Sequence, residues 1–382
     1  MQDVGTRAPR LYPELAPATR RYDEFLATMD RATVDVYERR AQEWASKRSS
    51  PYRERATRLA GRCLPGMAVA DLGCGPGNYV PELAGAGPVV ALDAAAAMLE
   101  LARPSGAHLV QADIEHPPLR DRSVGGAWAS NSYLHVPRTR LPLALARLHW
   151  AMAVGAPLTI SGIAGEGEGG LPTDDFPGRF YTFWQPEEIA GLLAGAGFEV
   201  EEVSIEGERV WADARRARTL PDTVAAGLRV LVCGLNPSVV AADAGYGFAG
   251  PTNRFWKAAV AAGLVSRPRD PLGCVLRDRV GMTDLVKRAT PNAAVLSREE
   301  YRAGAERVRR LVEWLRPGVV LFVGLAGWRA AVDRTAGAGL QPEPFAGVAA
   351  YVMPSTSGLN AHASVAELTA HMADAVALAP PA

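Results

Sequence analysis

The sequence predicts an α/β protein of two domains, each built on a largely parallel sheet, and three observations lead there. At 382 residues the chain exceeds what one hydrophobic core usually serves, and its 48% hydrophobic and 21% charged residues are ordinary globular composition. Twice, a short apolar run meets a glycine-rich turn and then helical periodicity. Met67-Ala68-Val69-Ala70-Asp71-Leu72 enters Gly73-Cys74-Gly75-Pro76-Gly77, and Arg229-Val230-Leu231-Val232-Cys233 enters Gly234-Leu235-Asn236-Pro237. Both read as a buried strand followed by a loop. Further apolar runs, Val89 to Leu92 and Val319 to Val323, alternate with helical stretches such as Tyr301 to Leu315, the pattern of parallel sheets in both halves.

Taken in order, residues 1–60, including Tyr37-Glu38-Arg39-Arg40-Ala41-Gln42-Glu43-Trp44, read as a helical extension that lids the first sheet. Residues 61–217 form the first domain, with Gly162 to Gly178, rich in Gly, Asp and Pro, as a loop or flap. Charged Arg215-Arg216-Ala217-Arg218 then gives way to Leu220-Pro221-Asp222, which places a short linker at 218–227 and the second domain at 228–382. The formal charge is zero, yet Lys and Arg against Asp and Glu sum to roughly −4 before residue 220 and roughly +4 after it, so only the second half suits a polyanion. Cys63, Cys74, Cys233 and Cys274 form no C-x-x-C pair and divide between the two domains, so buried free thiols and no metal centre are expected. The polar N-terminus and the lack of a long apolar run make a cytoplasmic protein without membrane contact the expectation.

In the first domain a strand ending in Asp71 meets Gly-x-Gly-x-Gly, and Asp93 closes the next strand. Glycines let a backbone approach a ligand closely, and a carboxylate at the second strand end accepts ribose hydroxyls. A dinucleotide fold prefers G-x-G-x-x-G, and Asp71 before the first glycine repels a pyrophosphate but holds an ammonium. That favours S-adenosylmethionine. Asp71-Leu72-Gly73-Cys74-Gly75-Pro76-Gly77 resembles the first motif of class I methyltransferases, over about residues 35 to 215. The resemblance implies a Rossmann-like sheet. It also implies a cofactor held by Asp71, Gly73, Cys74, Gly75, Gly77 and Asp93, with Asp113 and Ile114 of Gln111-Ala112-Asp113-Ile114 beside the adenine. The methyl acceptor is open. Ala129-Ser130-Asn131-Ser132-Tyr133-Leu134-His135 carries neither the Asn/Asp-Pro-Pro-Tyr/Phe nor the Pro-Cys pattern of DNA-base methyltransferases. His135 is either a general base at the pocket rim or a packed histidine, and Trp128, Tyr181, Phe183 and Trp184 either line an acceptor cavity or belong to the core.

The second domain offers the parts for hydrolysing the bond between a base and deoxyribose, which needs a flipped base, a positioned water and help for the departing anion. Asn236 follows the first strand, where open α/β sheets bind ligands, and its amide orients water without titrating. Gly245-Tyr246-Gly247-Phe248 supplies an aromatic face, and Ser355-Thr356-Ser357-Gly358-Leu359-Asn360 supplies hydroxyls and amides for phosphate with one apolar wedge. Gly234-Leu235-Asn236-Pro237, Gly247-Phe248-Ala249, Pro251-Thr252-Asn253-Arg254-Phe255-Trp256, Gly281-Met282-Thr283-Asp284-Leu285-Val286 and Pro354-Ser355-Thr356-Ser357-Gly358-Leu359 together resemble the mismatch-specific uracil/thymine-DNA glycosylases from Arg229 onward. The resemblance implies an α/β/α sheet that acts on double-stranded DNA containing uracil or a mismatch, with no cofactor. Asn236 is then the water-positioning residue. Leu235, Ser238, Phe248 and Asp284 meet the base, while Asn253, Arg254 and Ser355 to Asn360 meet the DNA. Asn236 in place of an aspartate implies the slower, mismatch-tolerant branch, and the absence of a lysine there implies a monofunctional enzyme. Ser238, where many relatives have glycine, narrows the pocket beside the pyrimidine 5-position and disfavours thymine. Asn360-Ala361 departs from the Ser-Arg or Ala-Arg of some members. Asp284 either accepts the uracil N3 proton, at the cost of opposing the departing anion, or caps a helix.

The leading expectation is a uracil-excising repair glycosylase fused to a methyltransferase of unknown acceptor. One alternative keeps the second domain as a reader that binds DNA without cutting. The other makes methylation of a small molecule or RNA the principal activity, with a catalytically weak glycosylase-like module.

Overall fold

A computed structural model describes residues 30–360 and 362–379. The expected helical extension is therefore seen from Asp30 onward, and residues 1–29, Ala361 and residues 380–382 lie outside the described residues.

The first domain holds Ala68–Leu72 (β1), Val89–Asp93 (β2), His108–Gln111 (β3), Val124–Ala129 (β4), Pro157–Ala164 (β5), Glu168–Gly170 (β6), Phe180–Trp184 (β7), Phe198–Glu206 (β8) and Arg209–Arg216 (β9). Parallel pairing runs β3-β2-β1-β4-β5; antiparallel β9 and β8 extend one edge, and β7 with β6 forms a hairpin on the end of β5. Part of the expected flap, Glu168–Gly170, is therefore strand rather than loop. Every residue of β4 is buried, because helices cover both faces, which is why these strands read as unbroken apolar runs. The strand order reverses between β1 and β4, and a crevice opens there at the carboxyl ends.

The second sheet comprises Val230–Gly234 (β10), Val280–Asp284 (β11), Val319–Val323 (β12), Gly339–Leu340 (β13) and Ala349–Met353 (β14), in the order β11-β10-β12-β14-β13, all parallel except β13. Here the reversal lies between β10 and β12, which puts the carboxyl end of β10 at the crevice. The helix Arg298–Leu315 shows why local sequence suffices for much of this. Ser297 and Glu300 form a reciprocal capping box, and Tyr301, Ala305, Val308, Val312 and Leu315 fall on one buried face. No helix among the described residues is long and apolar enough to cross a membrane.

The segment expected as a linker is packed rather than exposed. Leu220, Asp222, Thr223, Val224, Ala225 and Leu228 are all buried. Thr223 exchanges backbone hydrogen bonds with Met282, so the segment lies along the free edge of β11. Leu143 of the first domain joins the core of the second, and Trp314 packs against the cores of both.

Candidate active sites

The first site is a cavity of about 720 Å³ at the carboxyl ends of β1 and β4. Its floor is the glycine turn, in which Gly73, Gly75 and Gly77 take φ of 70°, 54° and 77°. A Cβ on Gly73 would also stand 2.4 Å from the Ser132 Cβ, so glycine is required there twice over. Cys74 lines the turn with a buried thiol, which burial and the nearby Asp71 push up.

Three carboxylates and Ile114 share this wall. Asp71 is 2% exposed, and burial with the neighbouring Asp93 pushes its carboxyl up to about 8. Asp93 accepts from the backbone N–H of Gly75 (2.8 Å) and Ala95 (2.9 Å); burial raises it to about 6 against the pull of those bonds. Asp113 Oδ1 accepts from the Glu115 N–H at 2.8 Å. Asp71 Oδ2 and Asp113 Oδ2 are buried without a hydrogen-bond partner, His116 Nδ1 standing 3.6 Å from the latter, so a ligand bearing an ammonium or N–H donors would complete both.

The helix Arg31–Lys47 lids the cavity. Its Tyr37 hydroxyl lies 2.9 Å from His135 Nε2 and accepts from Arg179 Nη1 at 2.9 Å; Thr33 Oγ1 accepts from the Phe180 N–H, and Glu38 from the Ala97 N–H. His135 Nδ1 lies 2.6 Å from the Phe180 carbonyl, which can only accept, so Nδ1 carries the proton and Nε2 accepts from Tyr37. Burial pushes His135 down to about 4, which keeps it neutral. Tyr181 and Trp128 line the cavity, Trp128 being fully buried in a core cluster as well; Phe183 and Trp184 do not, and Trp184 sits in the core with its indole N–H on Thr182. Tyr37 and Arg179 were not singled out by the sequence, because no local pattern joins residues 142 apart.

At the second site Asn236 leaves the end of β10. Its Nδ2 donates to Thr290 Oγ1 (2.8 Å) and to the carbonyls of Arg288 (3.0 Å) and Pro237 (3.1 Å). Thr290 gives its own hydroxyl hydrogen to the Asn292 carbonyl, so all three atoms facing Nδ2 are acceptors. The amide orientation is thereby fixed, and Oδ1 makes no hydrogen bond among the described residues.

Gly234 is where the remaining parts converge. A Cβ there would lie 2.4 Å from Asp284 Oδ1 and 3.6 Å from the Phe248 ring. Phe248 takes φ of 58° and stacks on Phe255 at 3.9 Å and 11°, while Trp256 Nε1 donates to the Gly247 carbonyl and fixes that turn. Asp284 caps no helix; burial pushes it up to about 6, with Lys287 and Arg307 pulling the other way. Leu235 packs its side chain onto Gly324 and Gly327, and its carbonyl accepts from the Val286 N–H at 2.9 Å. Ser238 Oγ accepts from the Ala241 N–H at 3.1 Å as the cap of the helix Val239–Ala244.

The loop Pro354 to Asn360 projects Leu359, which is 92% exposed. Arg254 holds it from within, donating to the carbonyls of Ser357 (2.8 Å), Asn360 (2.6 Å) and Ala363, while its N–H donates to Thr356. Thr356 is 1% exposed, Asn360 Nδ2 bonds the Ser355 carbonyl, and Asn253 Oδ1 caps the Phe255 N–H. Ser357 Oγ accepts from the Leu359 N–H, and Ser355 Oγ from the Ser357 N–H. A Cβ on Gly358 would stand 2.3 Å from Thr252 Oγ1. Three of the residues expected at DNA, Arg254, Thr356 and Asn360, are therefore struts of the loop as well.

Two family models match the chain: one described as uracil DNA glycosylase superfamily covers residues 221–377, and one described as methyltransferase domain covers residues 69–155. The chain carries one domain of each kind. Among solved structures, a Burkholderia thailandensis 1,6-didemethyltoxoflavin-N1-methyltransferase with bound S-adenosylhomocysteine is 21% identical, covers 54% of this chain and 94% of its own, and has a TM-score of 0.41. A DhpI complex with S-adenosylhomocysteine is 21% identical over 49% of this chain and 96% of its own, with a TM-score of 0.40.

Proposed function

We propose that this chain, which joins a methyltransferase domain to a uracil DNA glycosylase superfamily domain, is a monofunctional glycosylase releasing uracil from mismatched duplex DNA, fused to an S-adenosylmethionine-dependent methyltransferase of a small molecule. The observation that carries the first half is the fixed amide of Asn236. With Nδ2 held by three acceptors, Oδ1 orients a water toward C1′ of a flipped deoxyuridine. The C1′–N1 bond breaks with its electron pair on the base, the water oxygen bonds C1′, and the water's proton leaves to solvent. Phe248 stacks the base, and Leu359 fills the space it vacates. A glycosylase panel of U, T, ethenocytosine and hypoxanthine opposite G tests this, with uracil the expected best substrate.

Asp284 shapes the pH response. A neutral carboxyl donates a hydrogen bond to the departing base, whereas a carboxylate repels its growing charge. The carboxyl titrates near 6 instead of its ordinary value near 3.8, so protonation sets in as pH falls through about 6. Single-turnover uracil release therefore rises as pH falls from 7.5 to 5.5, and Asp284→Asn removes the dependence and raises the rate at pH 7.5 about tenfold. A rate that falls with acidification overturns this role. Leu359→Ala leaves the melting temperature unchanged, since the side chain is exposed, yet slows release from duplex more than from single-stranded DNA. Equal slowing on both substrates contradicts the wedge.

For the first domain the residues fit the cofactor. Asp71 suits its ammonium, Asp113 the adenine amine, and Asp93, with two of about four acceptor positions taken by N–H groups, retains capacity for ribose hydroxyls. S-adenosylmethionine, when bound, supplies an activated methyl group. The lid helix and the cavity it closes favour a small acceptor over RNA, and the Tyr37, His135 and Arg179 cluster offers it a hydrogen-bonding wall in which His135 is neutral and the Arg179 cation is paired with Asp174. Calorimetry with S-adenosylmethionine, before and after Asp93→Ala, tests the cofactor site.

A further inference from the structure

The glycosylase reading places Asp284 against the base, and what stands behind Asp284 does not belong to the glycosylase domain alone. A void of about 20 Å³ beside Asp284 and Phe248 is lined by Trp150, Leu220, Pro221 and Thr223. Trp150 ends the helix Leu141–Ala151 of the first domain, where the Arg122 N–H holds its carbonyl next to that helix end; the other three belong to the joining segment. Asp222 lies within the same segment. Its Oδ1 accepts from Thr283 Oγ1 (2.7 Å) and Lys287 Nζ (2.9 Å), and its Oδ2 from Arg307 Nη1 (2.5 Å). Arg307 Nη2 in turn donates to the Asp284 carbonyl (2.6 Å) and to Thr283 Oγ1 (3.0 Å).

Asp222 is also tied to the first domain. Its N–H donates to the Gly195 carbonyl at 2.8 Å, and a Cβ on Gly195 would stand 2.7 Å from Asp222 Oδ2, so the helix end of the first domain approaches as closely as glycine permits.

We propose that the glycosylase site is braced by the first domain: Asp222 of the joining segment, held at the Gly195 end of the methyltransferase domain, is a positioning residue that sets the placement and electrostatic surroundings of Asp284. This rests on the glycosylase reading. The groups facing Asp284 are Asp222 from the joining segment, Lys287 after β11, Arg307 from the helix Arg298–Leu315, the Cys233 thiol of β10 and Tyr246 of the preceding turn. Asp222 opposes ionisation of Asp284, while Lys287 and Arg307 favour it and are partly neutralised by Asp222. Neutralising Asp222 therefore frees two cations to act on Asp284 and lowers the pH at which it protonates.

The test uses the full chain carrying Asp222→Asn, a near-isosteric change. The Asp284 carboxyl is followed by carbon-13 NMR of aspartate-labelled protein, assigned with Asp284→Asn. The expected result is a titration displaced to lower pH in Asp222→Asn, with uracil release at pH 5.5 about threefold slower and the acid plateau retained. An unmoved titration overturns the positioning role. A displaced titration in a protein whose wild type releases no uracil leaves the coupling in place and strikes the reading of the site instead.

Discussion

Asn236→Ala slows single-turnover uracil release by about 10²–10³-fold, the range lost when one preorganised polar group is removed from a reacting centre. The melting temperature moves little, because Asn236 is only half-buried and the acceptors it leaves, Thr290 Oγ1 and the carbonyls of Arg288 and Pro237, gain access to water. Thr290→Val produces a smaller loss of the same kind by freeing the amide to rotate. Asn236→Asp is the sharper case. A carboxylate is intrinsically the stronger base, but here one of its oxygens would face two carbonyls at 3.0 and 3.1 Å, which repel it. The exchange therefore fails to accelerate uracil release at pH 7. Acceleration would show that the amide surroundings do not define the catalyst.

The second large effect concerns the cofactor. Asp93→Ala weakens S-adenosylmethionine binding by about 10²-fold or more, since it deletes charged acceptors worth about 1.5–3 kcal/mol each and releases the N–H groups of Gly75 and Ala95 that shape the turn. Asp71 adds a signature independent of turnover. Because burial and Asp93 hold its carboxyl near 8, Asp71 is largely protonated at pH 7, and a cationic ligand draws it into the ionised form. Binding at pH 7 thus releases a proton, which calorimetry in two buffers of different ionisation enthalpy reads directly. Asp71→Asn abolishes the release. A binding heat independent of buffer contradicts the assignment of Asp71 to the ammonium.

The parts of the fold carried by contiguous residues were legible in the sequence. β1, apolar but for Asp71, and β10, apolar throughout, both end in turns, so their place in parallel sheets, and that of Asp71 and Asn236 at the carboxyl ends, follow from local pattern. A motif fixes where a residue stands but not which way its side chain turns. The resemblance sets Ser238 beside the base, and its hydroxyl also caps a helix; it sets Arg254 at the DNA, and its guanidinium also braces a loop. Gly358 and Thr252 show the same limit, since only the folded chain brings them to 2.3 Å from a hypothetical Cβ. The joining segment was hardest. Leu220-Pro221-Asp222 has the composition of a connector, and nothing local signals that Asp222 gathers Lys287 and Arg307 from 65 and 85 residues away. The same holds for Tyr37 and His135, 98 residues apart.

The central claim is that this chain hydrolyses uracil from DNA at Asn236. The most direct measurement incubates the wild-type chain with a duplex bearing one G·U pair and quantifies free uracil by mass spectrometry beside alkali-labile strand breaks. Both are expected in equal amounts, with strand cleavage only after alkali. Intact DNA and no free uracil would contradict it.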